Sequence, residues 1–329
     1  MTFKLILIII AVLVAAGSAL VVITPYPAVY FVRWLFRQYP YVPPADYGRY
    51  LDNVTIQRDI DYGSAYPSGT LDIITPKNFK GCEKVIFAVH GGAYVSEGCK
   101  TEFYYAMLAN EGFVTVNVKY AIAPEQARYP VPVKQLEEAY TFIKNHNDLY
   151  RLNLDKVVFS GDSAGGQIAG QFVALQTNPS YLETMNSLSP IQLRQVLPVE
   201  TINGVVLLCA IYDFLQLDPP PENTMKLPLK KLGVAYFNSA DVHSKLIASA
   251  GILDKITEKF PRTFITDANT YSFEFEAKEM MDILKSKNIP VTGVFYDAAE
   301  VRLHHNYQFH LDTSQGIQTY QKLVEFLNQ

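Results

Sequence analysis

Ser163 stands in Gly161-Asp162-Ser163-Ala164-Gly165-Gly166, directly after the β-branched run Val157-Val158-Phe159-Ser160 and directly before a helical pattern. A serine at a sharp strand-to-helix turn needs small residues two places before and two places after it, because the turn is tight and the serine backbone is strained. Gly161 and Gly165 meet that need. The chemistry this permits is attack of a hydroxyl on an acyl carbonyl. A second group, His90-Gly91-Gly92-Ala93, follows the apolar run Val85-Ile86-Phe87-Ala88-Val89. Glycines there let backbone N–H groups face a developing oxyanion, which must be met by donors fixed in advance. The expected donors are the amides of Gly92, Ala93 and Ala164. His90 is read as structural rather than as a base.

Such groups need a rigid frame, and the chain supplies an alternation of short β-branched runs with longer amphipathic stretches. Strands are predicted at 54–58, 70–74, 84–89, 114–118, 156–160, 205–210, 263–266 and 291–296, and helices at 101–111, 131–145, 164–176, 274–287 and 314–327. This rhythm predicts an α/β fold with a mostly parallel eight-stranded sheet and helices on both faces. The interval from about 212 to 251 breaks the rhythm with Pro219-Pro220-Pro221, Pro228 and several lysines. It is expected to be a cap insertion at the carboxyl edge of the sheet.

The two glycine motifs, together with Tyr120-Ala121-Ile122-Ala123-Pro124-Glu125 and Tyr129-Pro130-Val131-Pro132, resemble the hormone-sensitive-lipase-like branch of the α/β-hydrolases over about residues 70–329. Ala93 stands where that branch usually has a third glycine, and Ala121 where it usually has an arginine. The resemblance implies the α/β-hydrolase fold, a cap over the serine, and a carboxylesterase or lipase-like activity on acyl esters. It implies no cofactor and no metal. The chain order of that fold is nucleophile, acid, base.

Three late histidines compete for the base: His304, His305 and His310. His243 falls in the insertion. His305-Asn306-Tyr307-Gln308-Phe309 follows the last strand by a loop and is similar to the family's His-Gly-Phe segment, so His305 is the expected base. The family's usual acid position falls on Thr270 or Tyr271. Asp267, at the end of the 263–266 strand, is the nearest carboxylate and is assigned as the acid, with Glu274 and then Asp297 as alternatives. A catalytically silent turn-capping Asp267 is the competing reading.

With 49% hydrophobic and 18% charged residues among 329, and a net charge of −4, the chain has no basic field to hold nucleic acid by its phosphates. Cys82, Cys99 and Cys209 show no zinc spacing, and a Cys82–Cys99 bridge requires an oxidising compartment. Residues 5–23 carry no charge and reach the roughly 20 residues a membrane-spanning helix needs. Residues 1–25 are therefore expected to be a signal anchor; a cleaved signal peptide ending near Gly17-Ser18-Ala19 is the alternative. Residues 26–50 are expected to form an interfacial linker or a lid, and 51–329 the catalytic domain. Lys4 before the span and Arg33 and Arg37 after it nearly cancel, with a lean toward an extracytoplasmic catalytic domain. Three functions are compatible with these residues: an esterase acting on small or lipid-derived esters, an amidase or peptidase using the same residues, and a membrane-bound binding protein that has lost catalysis. Oligomeric state is not readable from the chain.

Overall fold

The computed structural model describes residues 3–329 other than 82, 99–100, 218–219, 226 and 242, and describes 3–4, 15–16 and 19 by backbone alone. Eight strands form one sheet: β1 (Val54–Asp61), β2 (Thr70–Pro76), β3 (Lys84–Val89), β4 (Val114–Val118), β5 (Asn153–Asp162), β6 (Ile202–Leu208), β7 (Thr263–Thr266) and β8 (Val291–Val294). Their order is β1-β2-β4-β3-β5-β6-β7-β8. β2 pairs antiparallel with both β1 and β4, and every pairing from β4 to β8 is parallel. Among the described residues, the nine longer helices are α1 (Phe3–Ile23), α2 (Tyr26–Gln38), α3 (Glu102–Asn110), α4 (Val131–Asn145), α5 (Ala164–Thr177), α6 (Pro179–Leu188), α7 (Leu229–Phe237), α8 (Glu274–Ser286) and α9 (Ser314–Asn328).

Side chains alternate across a strand, so each central strand feeds two cores. Val85, Phe87 and Val89 of β3, with Val157 and Phe159 of β5, pack toward α4, α5 and α8. Ile86, Ala88 and Val158 pack on the opposite face, toward α3 and α9. Helix α5 is buried along its whole length. That accounts for its glycine- and alanine-rich sequence, which lacks the polar face of a surface helix.

The expected elements match the observed ones with a few informative differences. β6 ends at Leu208 rather than at Ala210, because Cys209 takes φ +50° and turns the chain off the sheet. β5 runs from Asn153 to Asp162, longer than the 156–160 run, since its ladder partners on β3 and β6 hold the polar ends in register. Helix α6 was not anticipated, although Pro179 at its first position and the Asn178 side chain accepting from Tyr181 N–H are ordinary start signals. Helix α7 lies within the segment that sequence rhythm marks only as a break. Cys82 and Cys99 lie outside the described residues, and Cys209 is a buried free thiol.

Helix α1 coincides with the segment expected to cross a membrane. Among the described residues, however, no helix is long and apolar enough to do so. Helix α2 is docked against the catalytic part. Val29 and Val32 are buried, and Arg33 donates to the carbonyls of Val95 at 2.6 Å and Ala123 at 3.1 Å while forming an ion pair with Glu125. Its other side presents Tyr30, Phe31 and Trp34 to the exterior, each at least half exposed.

Candidate active site

Ser163 occupies the turn between β5 and α5 with φ +51° and ψ −120°. That conformation is unfavourable for a side chain bearing a Cβ. Crowding imposes it: a Cβ on Gly161 would overlap the carbonyl of Gly165, and a Cβ on Gly165 would overlap the carbonyl of Val89. The Ser163 amide donates to the Leu208 carbonyl at 2.8 Å, which ties the turn to the end of β6. Ser163 itself is largely buried and lines a cavity of about 70 Å³. Ala93 lines the same cavity.

The loop after β3 carries a run of left-handed residues: Gly92 at φ +122°, Ala93 at +53° and Tyr94 at +63°. Successive backbone groups in such conformations turn amides toward a common concave side. The loop is pinned from below. Asp162, next to Ser163, accepts from Gly91 N–H at 2.9 Å through one carboxylate oxygen and from the Asn306 side-chain amide at 2.9 Å through the other. One buried carboxylate thus fastens the turn bearing Ser163, the Gly-Gly loop and the loop bearing His305. His90 stacks on Tyr120 with ring centroids 4.3 Å apart, and its Nδ1 lies 2.6 Å from the Gly91 carbonyl.

His305 lies on the loop between β8 and α9. Its Nδ1 is 2.7 Å from Ser272 Oγ, and Ser272 Oγ in turn donates to Asp267 Oδ1. Asp267 therefore reaches His305 through a serine hydroxyl rather than by direct contact. The expected carboxylate is on the correct side of the imidazole, but the residue touching the ring is Ser272, for which the sequence offered no signal. An ionised carboxylate accepts only, so the Ser272 hydroxyl must donate to Asp267 and accept Nδ1–H from His305. This leaves the lone pair on Nε2. That atom is buried and makes no hydrogen bond. Phe273 meets the His305 ring edge-on at 5.5 Å and lines the cavity that also contains Ser163.

The other candidates are placed elsewhere. Glu274 forms an ion pair with Lys278 at 3.0 Å on α8. Asp297 caps its own turn by accepting from Ala299 N–H at 2.8 Å. His304 is exposed and lies against Tyr271, and His310 packs against Tyr41. Ala164, the first residue of α5, is fully buried.

One donor atom each from Cys209, Asp267 and His305 lies within 4.8 Å of the others. An ion there would have to displace Ser272 from both of its partners. Burial also pushes the Cys209 thiol pKa well up, which opposes the thiolate a metal requires. Cys209 instead supports the histidine loop, accepting from Asn306 N–H at 3.3 Å and donating to Gln308 Oε1 at 3.4 Å.

Burial dominates the titration of this region. It pushes Asp162 and Asp267 up to about 7 and Glu276 up to about 8, against opposing hydrogen bonds, and pushes His305 down to about 3. The imidazole is thus held neutral. Glu276 sits on α8 and accepts from the amides of Tyr212 and Asp213, where the chain leaves β6.

The BD-FAE family model matches residues 71–270. The acetyl esterase of Salmonella schwarzengrund is 30% identical over 89 residues, 26% of this chain and 27% of that protein. The match therefore spans about a quarter of that relative's length. Among solved structures, esterase B from Lactobacillus rhamnosis superposes with a TM-score of 0.70 at 16% identity, covering 92% of this chain and 95% of that one. A tributyrin-phosphonate-inhibited form of the same enzyme gives 0.67 at 17% identity, covering 100% and 96%. At these identities the superpositions establish the shared α/β-hydrolase fold.

The raised carboxyls make a prediction about stability. Each folded-state pKa lies above its unfolded value, so the stabilisation is fully present below about pH 4 and is lost as pH rises through about 7, or 8 for Glu276. The urea midpoint is expected to fall between pH 5 and pH 8, by up to about 1.4 kcal/mol per pH unit for one carboxyl. Asp162→Asn should flatten that slope while lowering stability at pH 5, because its amide NH₂ would face one of two donors. An unchanged slope would remove Asp162 from the account.

Proposed function

The chain belongs to the BD-FAE family, and from that premise we propose that it is a serine carboxylesterase that cleaves acyl esters through a Ser163 acyl-enzyme. The observation that carries the reading is one cavity lined by the strained Ser163, by the left-handed Ala93 and by Phe273, whose ring packs edge-on against His305, the histidine linked through Ser272 to the buried Asp267. His305 takes the Ser163 proton as the hydroxyl attacks the ester carbonyl. The amides of Gly92, Ala93 and Ala164 receive the oxyanion, the alcohol leaves with the proton returned by His305, and water releases the acid by the same route. Asp267 acts through Ser272, holding the tautomer with Nδ1 protonated and stabilising the imidazolium when it forms. Residues 212–251, with α7, act as the cap. The acetyl esterase relative and the phosphonate-inhibited esterase support ester hydrolysis over the amidase and silent-binder readings.

The substrate is an ester reached from a membrane surface, and α1 is the anchor. A helix of 21 residues is about 30 Å long at 1.5 Å per residue, the thickness of a bilayer core. Its described large apolar side chains are all exposed, Ile8 at 60% and Ile23 at 76%. Lys231 of α7 donates to the Val22 carbonyl at 2.5 Å, so the end of this helix adjoins the cap. The exposed Tyr30, Phe31 and Trp34 of α2 suit the headgroup layer.

Ser163→Ala should abolish hydrolysis of p-nitrophenyl butyrate and labelling by a fluorophosphonate, with the melting temperature preserved. Retained turnover in that variant would overturn the nucleophile. Ser272→Ala should lower kcat/KM by about 10- to 100-fold and Asp267→Asn by about 10³-fold. The double variant should be no worse than Asp267→Asn alone, because the two act in series; losses that multiply would place them in independent roles. The full-length chain should stay with membranes through an alkaline carbonate wash, and its release into the supernatant would rule out the anchor.

A further inference from the structure

Helix α7 contains a glycine that neither helix geometry nor packing requires. Gly233 lies in the middle of Leu229–Phe237, where glycine is a poor choice because it leaves the unfolded chain more conformational freedom to lose. Its φ is not in the left-handed region, and a Cβ built on it would meet nothing within 4 Å. The contrast with other glycines is direct. At Gly161 and Gly165 a Cβ would collide with backbone, and on the buried helix α5 a Cβ at Gly170 would come within 2.9 Å of Ile252 Cδ1. Those glycines are demanded by neighbours; Gly233 is not.

What lies beside Gly233 is the cavity. Gly233 lines it together with Leu229, Leu232 and Tyr236 from the same helix, and Ser163 lines the cavity as well. Among the described lining side chains only Lys230 carries a charge. The missing side chain adds directly to the space available beside the nucleophile.

We propose that Gly233 sets the room for the apolar group of the substrate. The site accordingly takes uncharged esters with an aliphatic or aryl group larger than acetyl, and a side chain at 233 shortens the group it accepts. This inference rests on the esterase reading above. No assignment of the acyl or the alcohol half to this part of the cavity is needed, because the two can be varied separately.

The test uses the full chain and two substrate series: p-nitrophenyl acetate to octanoate, which varies the acyl group, and methyl to octyl acetate, which varies the alcohol. Gly233→Leu should reduce kcat/KM for the longest members of one series by at least about 10-fold while changing the shortest member by less than about threefold. Gly233→Ala should show a smaller discrimination and a melting temperature raised by about 1–3 °C, since alanine is the better helix former and has free space. Equal losses on short and long esters in both series, or no loss in either, would overturn the role of Gly233 and leave the esterase reading standing. A wild-type chain that turns over no member of either series would instead overturn the esterase reading, and the inference with it. A lower melting temperature in Gly233→Ala would show that packing, not the cavity, selects glycine.

Discussion

Crowding around the turn between β5 and α5 is the constraint on which the active site depends. The backbone at Ser163 is held at φ +51°, a conformation whose cost must be met by surrounding structure. It is met because β3, β5 and β6 run parallel and adjacent, so that the carbonyls of Val89 and Leu208 close on the turn from both sides. Glycine at 161 and 165 is the only residue that fits such an approach. The strain and the parallel sheet are therefore one feature: a looser sheet edge would let the serine relax and turn its hydroxyl away from the cavity.

The same enclosure sets the electrostatics. Asp162, Asp267 and Glu276 are buried with few compensating charges, and burial raises each of them. Each is also a fastener. Asp162 joins the Gly-Gly loop to the histidine loop, Glu276 holds the point where the chain leaves β6, and Asp267 orders the loop after β7 through Ala268 N–H and Ser272. Low dielectric strengthens these hydrogen bonds while penalising the charge that makes them. Among the described residues no ion pair lies at the centre of the site, and His305 is neutral because it, too, is desolvated.

Much of this architecture was legible from residues alone. The eight strands were visible because β-branched runs must fill two-sided cores, and α8 and α9 because their apolar positions recur at the helical period. Ser163 was legible for a steric reason, since Gly161 and Gly165 flank it at the two places where a Cβ is excluded. Asp267 is legible as the nearest late carboxylate, and the fold links it to the imidazole through Ser272. Helix α7 was hidden because Pro219-Pro220-Pro221 and Pro228 interrupt the pattern before it, leaving only nine residues of helix.

The sequence by itself determined the mostly parallel sheet, the tight turn at Ser163 and the loop of glycines, because each depends on local sterics and on periodicities of two and 3.6 that are written along the chain. Tertiary structure alone decided that Ser272 stands between Asp267 and His305, that Asp162 binds two loops, and that Gly233 borders the cavity beside Ser163. Those contacts join residues from different loops, and their hydrogen bonds and empty spaces exist only after the sheet has set the distances between strand ends.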